Sequence, residues 1–126
     1  MTLLKDVTIL VVDDDPDLRK AITNELHRHG CKIVEAENGK VAFGVVQAQR
    51  IDLVVSDIRM PGGDGIELAD QINKLEGKGP PVILITGFSD ITPKKALQKG
   101  VTSILAKPFS REELLNAITQ NLTRKK

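Results

Sequence analysis

The sequence predicts an α/β fold: a doubly wound sandwich with helices on both faces of one parallel sheet. Three observations carry this. Five short apolar runs rich in Val, Ile and Leu recur along the chain, each too short for a buried helix. Each run is followed by a stretch whose apolar residues recur at helical spacing, and that alternation requires right-handed parallel crossovers. The residues directly after the runs are unusually polar, at the sheet edge where such folds bind ligands.

The first run, Ile9 to Val12, is closed by three aspartates. Asp15 before Pro16 is a good N-cap with proline at the first helical position, and Leu18, Ala21, Ile22 and Leu26 follow on one face until Gly30. Ile33 and Val34 form a modest second strand before the Asn38-Gly39 turn, after which Ala42, Val45, Val46 and Gln49 fall on one helical face. Leu53, Val54 and Val55 make the third strand, ending at Ser56 and Asp57. A glycine-rich loop from Met60-Pro61 to Gly65 leads into a helix marked by Leu68, Ile72 and Leu75. Val82 to Ile85 is the fourth strand, and Thr92 before Pro93 opens a short helix that Gly100 closes. Ile104, Leu105 and Ala106 give the fifth strand. The last helix starts with a capping box, Ser110 with Glu113, and has an apolar face of Leu114, Leu115, Ile118 and Leu122.

The 126 residues fit one domain spanning residues 1–126, with no repeat and no linker. With 3 Phe, no Trp and no Tyr, stacking platforms for flavins or single-stranded nucleic acid are nearly lacking. Cys31 is the only cysteine, which excludes an intramolecular disulfide and any multi-thiolate metal site and suits a reducing, cytoplasmic compartment. No apolar run approaches the length of a membrane span, and Lys5 and Asp6 interrupt the N-terminal one. Neither membrane nor direct nucleic-acid binding is expected. Residues 1–92 carry 10 basic and 15 acidic side chains, and residues 93–126 carry 8 and 2. The basic C-terminal third suits an acidic partner, although helix ends also favour cations there.

The polar residues at the strand ends are Asp13, Asp14 and Asp15 after strand one, Asp57 at strand three, Thr86 and Gly87 after strand four, and Lys107-Pro108 after strand five. Asp15 is accounted for as a helix cap. Two acids closing a buried strand are costly unless used. If strands one and three are neighbours, their carboxylates share a cleft, and the repulsion is relieved by protonation, a lysine or a bound cation. An oxygen-only set suits Mg²⁺. His27 and His29, two apart on a helix, point to different faces and read as surface residues.

With VVDDD at 11–15, SDIRMPGGDG at 56–65, LITG at 84–87 and AKPF at 106–109, the chain resembles a response-regulator receiver domain over residues 7–122. The resemblance implies a flavodoxin-like, CheY-like (βα)5 fold of sheet order 2-1-3-4-5. It implies that Asp57 accepts a phosphoryl group, that Asp13 and Asp14 serve Mg²⁺ together with Asp57 and the backbone carbonyl of Arg59, and that Lys107 pairs with the phosphoryl group. Thr86 is then the switch hydroxyl, the Lys107-Pro108 bond is cis, and Arg59 and Phe88 tune the lifetime of the phosphoryl group. Family members often carry Tyr or Phe where this chain has Ile104, so the aromatic form of the switch is replaced by a smaller aliphatic movement. The implied partners are a sensor histidine kinase or phosphotransfer protein, and an output partner at the surface of the helix after strand four, strand five and the last helix, with Lys94, Lys95, Lys99 and Arg111. The implied state is a monomer or a phosphorylation-dependent dimer, a signalling domain that catalyses only its own phosphorylation and dephosphorylation. No DNA-binding element follows, so output runs through contacts or through a longer chain.

Two rivals stay open at this stage. A phosphorylation-independent binding module of the same fold needs none of the acidic set. A haloacid-dehalogenase-like phosphatase would use Asp13 as nucleophile with Asp15, but the acidic motif it wants after a later strand is not supplied by Lys107-Pro108-Phe109.

Overall fold

A computed structural model describes residues 5–58, 60, 64–75, 79–87, 98 and 101–124. Along the chain lie β1 (Thr8–Val12), α1 (Pro16–His27), β2 (Lys32–Ala36), α2 (Gly39–Ala48), β3 (Leu53–Asp57), α3 (Gly65–Asn73), β4 (Val82–Thr86), β5 (Val101–Ala106) and α4 (Arg111–Arg124). The helix expected between Pro93 and Gly100 lies outside the described residues except for Gln98, which is helical. The strands pair in parallel in the order β2-β1-β3-β4-β5. The fold is therefore the doubly wound α/β sandwich that the sequence predicts.

The alternation of side chains along each strand divides the core in two. Ile9, Val11, Val55, Ile83 and Ile85 face α1 and α4, where Ile22, Leu26, Leu114 and Ile118 close over them. Leu10, Val12, Val54 and Leu84 face the other way, against Ala42 of α2 and Leu68 and Ile72 of α3. Each such side chain, fully buried, contributes roughly 1.5–3 kcal/mol, so the central strands supply much of the burial energy of the described residues. β2 is an edge strand whose Ile33 and Val34 are half-buried and whose Lys32 and Glu35 are exposed, which explains its weak apolar signal.

The caps follow the sequence. Asp15 Oδ1 accepts from the Asp17 and Leu18 amides at 2.9 and 3.4 Å, and Pro16 opens α1. Ser110 N–H donates to Glu113 Oε1 at 2.9 Å while Glu113 N–H donates to Ser110 Oγ at 3.0 Å. Three boundaries differ from expectation. α1 closes at His27, and Gly30 instead holds the left-handed turn beyond it at φ +82°. α2 stops at Ala48 because Gln49 turns extended, at φ −150° and ψ 163°, so Gln49 is an exposed cap and not part of the apolar face. Leu75 lies past the end of α3, its amide held by the Ile72 carbonyl at 3.1 Å.

Gly65 joins the scaffold to the carboxyl edge of the sheet. Its N–H donates to the Ile58 carbonyl at 2.8 Å. A Cβ there would collide with the Asp57 carbonyl oxygen and crowd Leu84 Cδ2 at 2.9 Å and Ser56 Oγ at 3.0 Å. Because two of the three obstacles belong to β3, relief requires that strand or α3 to move. Gly65→Ala is expected to cost about 1–3 kcal/mol in urea denaturation, the usual range for overpacking a tight site. A variant as stable as the parent would show that the contact relaxes freely.

Candidate functional site

The carboxyl ends of β1, β3, β4 and β5 bring the predicted polar residues together. β1 pairs with β3 as Val12 with Ser56, which sets Asp13 beside Asp57. One carboxylate oxygen from each of Asp13, Asp14 and Asp57 lies within 4.8 Å of the others. Lys107 Nζ stands 3.4 Å from Asp57 Oδ2. Its backbone is held by a 2.7 Å hydrogen bond from its N–H to the Thr86 carbonyl, extending the pairing of Thr86 with Ala106. Thr86 is buried at the end of β4, one residue beyond Ile85, the partner of Asp57. The Lys107-Pro108 bond is cis.

The three acids differ in environment. Asp14 is exposed and Asp57 half-buried, whereas Asp13 is only 1% exposed. Asp13 Oδ1 accepts from the Asp15 amide at 2.9 Å, and its Oδ2 is buried without a hydrogen-bond partner. Asp57 Oδ1 accepts from the Ile58 amide at 2.8 Å. Burial pushes the Asp13 carboxyl up from its ordinary value, and the charges of Asp57 and Asp14 push the same way against the Asp15 amide and Lys107. An orphaned buried carboxylate oxygen within an oxygen-only donor set fits a hard cation such as Mg²⁺. Nothing in this cluster offers sulfur or imidazole to a softer ion.

The other expected site residues divide. Arg59 and Phe88 lie outside the described residues, as do Lys94, Lys95 and Lys99. Ile104 is half-buried against the apolar cluster that faces α2 and α3. Arg111 ion-pairs with Glu25 of α1 at 3.3 Å, joining α4 to α1. His27 is exposed, and His29 is partly exposed with Nε2 3.4 Å from Glu25 Oε2. Sequence reasoning missed Arg19, whose Nη1 donates to the Asp13 carbonyl at 2.6 Å and whose Nε donates to Glu35 at 2.8 Å. Only its place beside the apolar face of α1, next to Leu18, hinted that it turns inward.

A parallel sheet of this order with a lysine-faced acidic cleft at its carboxyl edge makes this a doubly wound α/β domain with an acidic site at the sheet edge. The model of the response regulator receiver domain matches residues 9–119, and the chain belongs to that family. It is 39% identical over 119 residues to the transcriptional regulatory protein GlrR of Escherichia coli K12, covering 94% of this chain and 27% of that protein. The chain thus spans about a quarter of the length of the first curated relatives it matches. A 14.6 kDa protein of Leptolyngbya boryana is 34% identical over 122 residues, 95% of this chain and 93% of that one. Among solved structures, the receiver domain of sensor histidine kinase PA1611 from Pseudomonas aeruginosa PAO1 superposes with a TM-score of 0.84 at 29% identity, over 94% of this chain and 98% of that one. That crystal structure holds a magnesium ion coordinated in the active site cleft. No helix among the described residues is long and apolar enough to cross a membrane.

The shifted Asp13 makes a pH prediction. Its folded-state pKa is raised above the ordinary 3.8, so its contribution to stability is full below that value and is lost as pH rises through the raised one. In EDTA at pH 7, Asp13→Asn is expected to melt at a higher temperature than the parent, with the gain shrinking toward about pH 4. Equal melting at pH 7, or a gain that grows on acidification, contradicts the assignment.

Proposed function

We propose that this chain receives a phosphoryl group on Asp57 from the phosphohistidine of a sensor histidine kinase or phosphotransfer protein, and that the mark shifts a two-state equilibrium controlling partner binding. The observation that carries the reading is the convergence on Asp57 of one ammonium, Lys107 at 3.4 Å, and two further carboxylates within 4.8 Å. A lone carboxylate is a weak nucleophile towards an anionic donor. Asp57 is held by the Ile58 amide at Oδ1 and faced by Lys107 at Oδ2, so its orientation is fixed before the donor arrives. In the transfer, an Asp57 oxygen forms the new bond to phosphorus, the bond from phosphorus to imidazole nitrogen breaks, and the imidazole leaves to take a proton from solvent. The ammonium of Lys107 offsets charge on the phosphoryl oxygens as the bond forms. Asp13, Asp14, Asp57 and the Arg59 carbonyl would hold Mg²⁺, which would add to that compensation when bound.

Thr86 is the switch residue in this reading, its hydroxyl bonding a phosphoryl oxygen that exists in only one state. Ile104 follows with a smaller surface change than an aromatic would give. The output partner reads the surface of β5, α4 and the segment after β4, and Arg59 and Phe88 set the lifetime of the mark. The rival with Asp13 as nucleophile is disfavoured because Asp15, the acid it needs, is occupied in capping α1.

Intact-mass spectrometry after incubation with acetyl phosphate and Mg²⁺ tests the reading. The parent gains the mass of one phosphoryl group, and Asp57→Asn or EDTA abolishes the gain. Phe88→Glu, by admitting and orienting water, loses the mark about ten- to a hundredfold faster. A mark that survives in Asp57→Asn and vanishes in Asp13→Asn gives the function to the phosphatase-like rival, and no mark in the parent gives it to the phosphorylation-independent module.

A further inference from the structure

We infer that Arg19 is a positioning residue for the metal ligands, a guanidinium that fixes the Asp13-Asp14 peptide so that the two carboxylates converge with Asp57. The inference rests on the Mg²⁺ reading of the acidic cleft. Arg19 lies in the first turns of α1, where the helix dipole disfavours a cation, so its position needs another reason. Its side chain is 21% exposed and its fork makes two charge-assisted or short bonds: Nη1 to the Asp13 carbonyl at 2.6 Å and Nε to Glu35 Oε1 at 2.8 Å. Glu35 stands on β2 opposite Val11 of β1. One guanidinium therefore ties together a helix, the end of the strand that carries the acids, and the neighbouring strand.

The consequence for Asp13 is specific. Its N–H donates to the Ala36 carbonyl of β2 at 3.1 Å, its C=O is taken by Arg19, and its Oδ1 is taken by the Asp15 amide. Oδ2 alone is left without a hydrogen-bond partner, on a residue that belongs to the cluster that fits a cation. Without Arg19 the Asp13 carbonyl is freed, the peptide linking Asp13 to Asp14 is free to rotate, and the like-charged carboxylates gain by swinging apart. The sign of the effect separates positioning from simple electrostatics. A cation near the cleft competes with Mg²⁺, so electrostatics alone predicts tighter binding when Arg19 is neutralised and no change when lysine keeps the charge. Positioning predicts weaker binding in both cases, because lysine cannot reproduce the fork.

Isothermal titration of Mg²⁺ into the parent, Arg19→Gln, Arg19→Lys and Arg50→Ala decides it. Arg50 pairs with Asp52 at 3.3 Å beyond the opposite end of β3, so its removal reports on a surface ion pair away from the cleft. Both Arg19 variants are expected to bind Mg²⁺ about tenfold more weakly, the low end for losing a group that orients metal ligands, and Arg50→Ala to bind like the parent. Either Arg19 variant alone suffices if the other does not fold. Affinity unchanged or tightened in either Arg19 variant, or weakened equally in Arg50→Ala, overturns the role of Arg19. A parent that shows no Mg²⁺ binding overturns the metal reading beneath it.

Discussion

Three carboxylates share one small cleft with the Lys107 ammonium against them, and the scaffold holds them there. Carboxylates within 4.8 Å of one another repel when charged, and the burial of Asp13 adds to the cost of its charge, so the cleft carries an electrostatic excess. The excess is carried by β1 and β3, the most deeply buried strands beside β4, whose Val11, Val12, Val54 and Val55 cannot shift without opening the core on both faces. Rigidity of the central strands and tension at their ends are thus two aspects of one design.

The same constraint explains the local devices around the cleft. Gly65 lets α3 start against the Asp57 carbonyl, where any Cβ would push β3 outward. Lys107 is delivered by a backbone bond to Thr86, so the counter-charge and the residue proposed as the switch move as neighbours. Asp15 begins α1 directly after the acids, and its amide satisfies one oxygen of Asp13. Among the described residues the cleft gathers more negative than positive charge, a condition that a divalent cation and the proposed phosphoryl chemistry would both exploit.

Much of this was legible in the sequence. The Ile9–Val12, Leu53–Val55 and Val82–Ile85 runs announce buried strands because both faces of a central parallel strand are apolar. Asp15-Pro16 and Ser110 with Glu113 announce helix starts because capping is local chemistry. The strand order came from family resemblance, since alternation alone does not say which strands are neighbours. The helical spacing of Gln49 does not mark the end of α2, because the chain turns extended there without a glycine or proline. Arg19 with Glu35 went unseen because a contact across 16 positions leaves no periodic trace. The collision awaiting a Cβ at Gly65 was equally hidden: it depends on how closely α3 packs against β3.

A divalent cation is the proposed relief for the like charges gathered in the cleft. Thermal denaturation of the parent and Asp13→Asn across a Mg²⁺ series at pH 7 tests it most directly, because a ligand that binds only the folded state raises its stability by mass action. The expected midpoint climbs steadily with Mg²⁺ in the parent and stays flat in Asp13→Asn. A parent midpoint independent of Mg²⁺, or one that climbs equally in both proteins, would contradict it.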